Sequence, residues 1–194
     1  MDEKISTNDV TSASLTANTG VGEAFLAPHA TYSFRCYDKD GNLKWEDGFH
    51  NTVTTLGKND VLNKYFSNTA AGACYLGLIS STGYSAIAAG DTMSSHAGWT
   101  EAGNANAPTY TAPRKTLTAA WAAASAGSMS TSATQDFAIT GSGTVKGGFI
   151  NIGGSSTIDN TTGLLYSAGL FSAPGERPVA NGDTLKVTVT LTAS

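Results

Sequence analysis

A chain of 194 residues is long enough to bury one good core, and a single domain of ordinary size accommodates it. Charged residues make up only 13% of it while glycine occurs 22 times and Ser and Thr recur throughout, a balance that favours strands and turns over helices. The formal net charge is -4 and the 11 Lys and Arg residues are scattered, so no cationic stripe exists to neutralise phosphates and nucleic acid is not an expected partner.

The opening Met1-Asp2-Glu3-Lys4-Ile5 lacks the basic and then apolar pattern of a secretory signal, and every apolar run falls far short of the roughly 20 residues that cross a bilayer. A soluble protein made in the cytoplasm, with no membrane partner, is expected. Residues 1–24 are rich in Thr, Ser, Asn and Ala, and Ile5, Val10 and Leu15 fit neither a helix nor a strand period. Such a segment buries too little apolar surface to offset the entropy of ordering, which predicts an extended N-terminal arm, mobile when free and able to lie across a neighbour in an assembly.

Residues 25–194 read as a single β-rich domain. Tyr32, Phe34 and Cys36 alternate with Ser33, Arg35 and Tyr37, the run Asp38-Lys39-Asp40-Gly41-Asn42 supplies a turn, and Leu43 to Phe49 returns as the second arm of a hairpin. Over residues 56–66, Val61, Leu62, Tyr65 and Phe66 recur at helical spacing and predict the one amphipathic helix. The run from Cys74 to Ile79 is continuously apolar, as in a strand buried on both faces at the centre of a sheet. Asp91 to Trp99 reads as a single helical turn, capped by Asp91 and ended by Gly98.

Further strands are expected over 109–112, 115–124, 134–140, 144–152, 163–171 and 184–192, separated by Gly, Ser, Asn and Pro clusters. In the last of them Leu185, Val187, Val189 and Leu191 share one face and Lys186, Thr188, Thr190 and Thr192 the other, so one face is core and the other is wet or covered by a partner. Together these elements predict a mainly β fold: an antiparallel β-sandwich or jelly roll with one short helix and an extended N-terminal arm.

Side chains able to carry chemistry are few and scattered. Cys36 and Cys74 belong to no C-x-x-C unit and read as reduced thiols; a bond between them needs their Cα atoms within about 7 Å. His29, His50 and His96 form no pair at metal spacing, and His50 shares a strand face with Glu46, where an exposed hydrogen bond is expected. There is no G-x-S-x-G elbow, and Gly141-Ser142-Gly143 reads as a tight turn and not a phosphate loop. Glu46, Asp47, Glu101 and Asp136 are the acids from which a glycosidase pair would have to come. No catalytic, cofactor or metal site is expected, and the chain reads as a non-enzyme. The aromatics Tyr32, Phe34, Trp45, Trp99, Tyr110 and Trp121 serve either as core or as a platform on which sugar rings stack.

Several segments resemble small structural proteins from the virions of tailed bacteriophages: Asn51 to Gly57, Tyr75 to Ile79, Asp91 to Glu101, Tyr110 with Arg114, and Gly182 to Val189. The resemblance spans about residues 45–192, and the long N-terminal stretch departs from the family's minimal form. It implies a head decoration, or cement, protein with a sandwich or jelly-roll body on the outer surface of the capsid, partnered by the major capsid protein and by two further copies of itself in a homotrimer. On that reading Ile5, Val10, Leu15, Phe25 and Leu26 are the candidate shell-docking residues. A ligand across a capsomer seam stabilises the assembled shell by mass action, about 2.7 kcal/mol per site at 100 times its dissociation constant, and linked copies add avidity. The alternative is a tail or head-fibre adhesin that binds a host surface glycan.

Overall fold

A computed structural model describes residues 29–67, 69–172 and 175–193. The arm over 1–24, with Ile5, Val10 and Leu15, and the adjacent Phe25 and Leu26 lie outside the described residues. In chain order the elements are β1 (His29–Tyr37), β2 (Leu43–His50), β3 (Thr52–Val53), α1 (Thr55–Phe66), β4 (Cys74–Ser80), β5 (Thr109–Tyr110), β6 (Lys115–Thr116), β7 (Ser128–Ser130), β8 (Gln135–Gly141), β9 (Gly143–Ile152), β10 (Leu164–Leu170), β11 (Arg177–Val179) and β12 (Thr184–Thr192). They form two sheets, ordered β2-β1-β12-β8-β5 with β7 also on β12, and β3-β10-β9-β4-β6 with β11 also on β9. Every pairing between these strands is antiparallel.

The hairpin forms where alternation places it, with Tyr32 opposite Phe49 and Cys36 opposite Trp45. Asp38 holds the reversal: its Oδ1 accepts from Asp40 N at 2.9 Å and from Asn42 N at 2.8 Å. Gly41 completes the turn at a φ of +86°, where a side chain would be strained.

Inward residues of β1 and β12 then meet the second sheet across one core, giving a two-layer antiparallel sandwich. Tyr32 Oη lies 3.1 Å from Ser167 Oγ of β10, and Phe34 meets Phe171 edge-on at 4.8 Å between centroids. Leu185, Val187 and Val189 are fully buried beside them, each side chain contributing about 1.5–3 kcal/mol by leaving water.

Helix α1 begins one residue before the expected position, and one side chain explains both its start and its docking. The Thr54 hydroxyl accepts from Gly57 N at 3.0 Å and donates to Leu165 O at 2.5 Å. The expected strand at Cys74–Ile79 also forms, but β9 and not β4 is the middle strand of its sheet. Beyond β4 lies the two-residue β6, and then the chain near Thr100: Ser80 N donates to Thr100 O and Ala102 N to Leu78 O, both at 2.9 Å. The outer face of β4 is nevertheless dry. Residues 81–108 contain none of the named strands and lay Met93 and Trp99 over Ile79, Phe149 and Leu165 in a second apolar cluster.

Two expectations fail for identifiable reasons. Asp91–Trp99 is not a helical turn, because the Asp91 carboxylate accepts from Ala88 N at 2.9 Å and from the Trp99 indole N–H at 3.0 Å, folding the segment back on itself. Of the strand expected over 115–124 only Lys115–Thr116 forms. Leu117 N donates to Cys74 O at 2.7 Å and its side chain is buried, after which Ala120 N turns back to Leu117 O and the Ala-rich run leaves the sheet.

Candidate functional site

The outer face of the first sheet is built from the residues that alternate with the core set. Thr31 and Ser33 of β1 lie opposite Thr190 and Thr188 of β12, and Thr190 in turn lies opposite Ser130 of β7. Hydroxyls bond along this face, Thr190 Oγ1 to Ser130 Oγ at 2.8 Å and Thr31 Oγ1 to His50 Nδ1 at 3.1 Å.

Beside the hydroxyls runs a row of four charges, because Glu46, Arg35, Lys186 and Asp136 occupy one cross-strand register. The like charges Arg35 and Lys186 are direct neighbours, and each is drawn to an acid on its far side, Arg35 to Glu46 at 3.2 Å and Lys186 to Asp136 at 2.5 Å. A depression of about 400 Å³ opens over Ser33, Arg35, Glu46 and Gly48, where the missing side chain of Gly48 leaves the pleat bare. A Cβ there would come within 2.6 Å of Tyr32 O, which explains the glycine.

Elsewhere the charged groups act as internal fasteners. Arg114, fully buried, donates from Nε to Glu101 Oε1 at 2.8 Å and from Nη2 to Glu101 Oε2 at 2.6 Å, and its remaining donors reach Ser155 O at 2.9 Å and Asn160 O at 2.8 Å. Asp159 N adds a bond to Glu101 Oε2 at 2.9 Å. This cluster ties the 81–108 segment to the β9–β10 connection. Burial pushes the Glu101 carboxyl above its ordinary value even though Arg114 and the Asp159 N–H pull it down.

A second fastener is Asp183, which accepts from Ala180 N at 2.7 Å, Lys44 Nζ at 2.5 Å and the Cys36 thiol at 3.6 Å. Burial acts to raise its carboxyl, and these donors together with the Lys44 charge outweigh it and hold the group below the usual value. The third, Asp47, pairs with Arg177.

Each of the four acids that could have formed a glycosidase pair therefore has its own cation on a separate pairing. Glu46 turns to Arg35, and the expected bond to His50 is replaced by the one from Thr31. His96 stacks on Trp99 with centroids 4.0 Å apart, its Nδ1 2.9 Å from Trp99 O. No group of three or more His, Cys, Asp or Glu stands in position to hold a metal ion among the described residues. Cys36 and Cys74 are free thiols on opposite sheets, each pushed up to about 12 by burial. No protein-family model, curated protein or solved structure matches the chain.

Tyr32, Phe34, Trp99 and Tyr110 are core, so the six aromatics do not share a surface; only Trp45 and Trp121 keep an exposed rim. Trp45 donates to Pro178 O at 2.8 Å and packs edge-on against Phe171. Trp121 borders an apolar groove of about 240 Å³ at one end of the sandwich, walled by Val61 of α1, Cys74 and Tyr166 of the second sheet, and Met129 and Leu191 of the first. No helix among the described residues is long and apolar enough to cross a membrane.

The segments singled out in the sequence contain several of these fasteners: Thr54 and Gly57 at the start of α1, Trp99 and Glu101 over β4, Arg114, and Asp183. Sequence reasoning named them without their roles. It missed the hydroxyl face as a unit, although alternation in β1 and β12 already put Thr31, Ser33, Thr188 and Thr190 on outward positions.

Proposed function

We propose that this protein is a contact module of a larger assembly, and specifically a decoration protein that docks as a trimer on the outer surface of a tailed-bacteriophage head and braces the seams between capsomers. The observation that carries the reading is the outer face of the first sheet. It is continuous, rich in short hydroxyl side chains and flanked by charges neutralised within the sheet. Ser and Thr lose little rotamer freedom when covered, and paired charges present no net field to repel a second surface. The depression over Gly48 offers a seat for one protruding side chain of the partner. The sequence resemblance supplies the choice of partner, the major capsid protein, and Ile5, Val10 and Leu15 are the residues of the arm that would reach across it.

The test is made on particles. Purified protein added to undecorated shells binds in many copies and raises the temperature at which they rupture. Thr188→Arg with Thr190→Arg, on the hydroxyl face, abolishes binding without lowering the melting temperature of the free protein, whereas Ser94→Arg on the opposite side of the sandwich leaves binding intact. A protein that occurs in only a few copies on the tail, or that binds host polysaccharide through Trp45, would replace this reading with the adhesin.

A further inference from the structure

The groove at the end of the sandwich is an apolar concavity that no described side chain fills. Its volume of about 240 Å³ continues into a second hollow of about 230 Å³, with Met129 and Leu191 common to both. A cavity of about 150 Å³ lined by apolar side chains already takes up benzene, so the first part alone has room for a phenyl ring and more. Asp60 and Lys64, one turn apart at its rim, neutralise each other and leave the wall without net charge.

The place where the chain enters β1 identifies the occupant. His29 lies opposite Thr192 and Ala30 opposite Leu191, so the first described residues run along the groove wall itself. Four residues before Ala30 is Leu26, and before it Phe25, in a stretch that otherwise consists of small or polar residues back to Val21. Four residues of extended chain span at most about 14 Å, which keeps this pair within reach of its own groove and gives it a high effective concentration there.

We propose that Phe25 and Leu26 occupy the groove of their own chain, in contact with Trp121 and Cys74. The pair then belongs to the domain and not to the shell-docking set, which leaves Ile5, Val10 and Leu15 for a partner. This assignment does not rest on the head-decoration reading, since it concerns the isolated protein.

The test uses the full chain. With N-ethylmaleimide, and labelling resolved by mass spectrometry, Cys74 in the variant Phe25→Ser with Leu26→Ser reacts about tenfold faster or more than in the parent, the factor that 1.4 kcal/mol of lost protection gives. Tryptophan emission moves to the red in that variant, and the movement disappears when Trp121→Phe is added. The control Ile5→Ser, Val10→Ser, Leu15→Ser keeps the parental rate and emission. Parental Cys74 reactivity in the Phe25/Leu26 variant overturns the proposal. Should that variant fail to fold, p-benzoylphenylalanine in place of Phe25 decides the matter: photo-adducts to Met129 or Val61 within one chain support the seat, and adducts between two chains, or none in the groove, refute it.

Discussion

In Arg114→Met the apolar stem of the side chain is retained and the guanidinium is lost. Glu101, only 4% exposed, then keeps a single donor, Asp159 N, and the carbonyls of Ser155 and Asn160 lose theirs. Removing one member of a buried pair in this way costs about 3–5 kcal/mol, because the remaining charge stays desolvated. For a domain of this size each kcal/mol moves the melting temperature by about 2–4 °C, so the variant is expected to melt about 6–20 °C lower at pH 7.

The deficit carries a signature in pH. Without Arg114 the Glu101 carboxyl rises further above its unfolded value, so the folded state binds a proton more tightly than the unfolded one. Stability from such a group is fully present below the unfolded value and is lost as pH rises through the folded value, so the deficit is expected to shrink between pH 7 and pH 4. Thermal melts followed by near-UV circular dichroism across that range check both parts. The double variant Glu101→Leu, Arg114→Met, which has no stranded charge, recovers most of the loss. A single variant that melts within about 2 °C of the parent, or a deficit equal at both pH values, would refute the assignment of this pair as the fastener of the 81–108 segment.

Three other perturbations follow from named contacts. Thr54→Ala removes both the acceptor for Gly57 N and the donor to Leu165 O, and is expected to cost about 1–2 kcal/mol in urea unfolding, with Thr54→Ser retaining most of the stability. Gly77→Ala places a methyl group 2.3 Å from Phe149 Cζ and is expected to lower the urea midpoint by the equivalent of about 1–3 kcal/mol, with partial rescue by Phe149→Leu. Asp183→Asn is expected to destabilise the fold by about 1–3 kcal/mol at neutral pH. Because the folded carboxyl of Asp183 lies below its unfolded value, its contribution is present above about pH 4 and fades as pH falls through the folded value, so variant and parent converge in acid; a gap that persists there would contradict the Lys44 pairing.

What the sequence made legible was local. Alternation over Tyr32–Cys36 and Leu185–Leu191 identified β1 and β12, which pair in the interior of the first sheet, and Asp38-Gly41 marked the reversal of β1 into β2, because a period of two and a turn residue are written within a few positions. The 81–108 segment was opaque for the opposite reason. Its cover over β4 rests on Met93 and Trp99, with Tyr84 and Ile87 beside them, held by partners such as Asp91, Arg114 and Ser155 whose proximity no spacing encodes. The groove was equally invisible, since its lining is gathered a few side chains at a time from α1, β4, β7, β9, β10, β12 and Trp121. The arm residues Ile5, Val10 and Leu15 stand on composition alone.

The two sheets differ in how their outer faces are finished, and this asymmetry bears on use. The second is roofed by a long connection whose ordering costs roughly 1–2 kcal/mol per residue in backbone entropy, offset by the Trp99 cluster and the buried Glu101–Arg114 pair. Among the described residues the first has no such roof, and its outward residues are mainly Ser, Thr and internally paired charges where a free sheet face could equally carry long lysines and glutamates. Long charged side chains keep a surface solvated and resist being covered; short hydroxyls can exchange water for a neighbour's polar groups with little loss of entropy. A face of this kind gains modest free energy per contact, and the gain becomes decisive when several linked copies engage at once, which is why its partner should be sought on a repeating surface and not in a single high-affinity receptor.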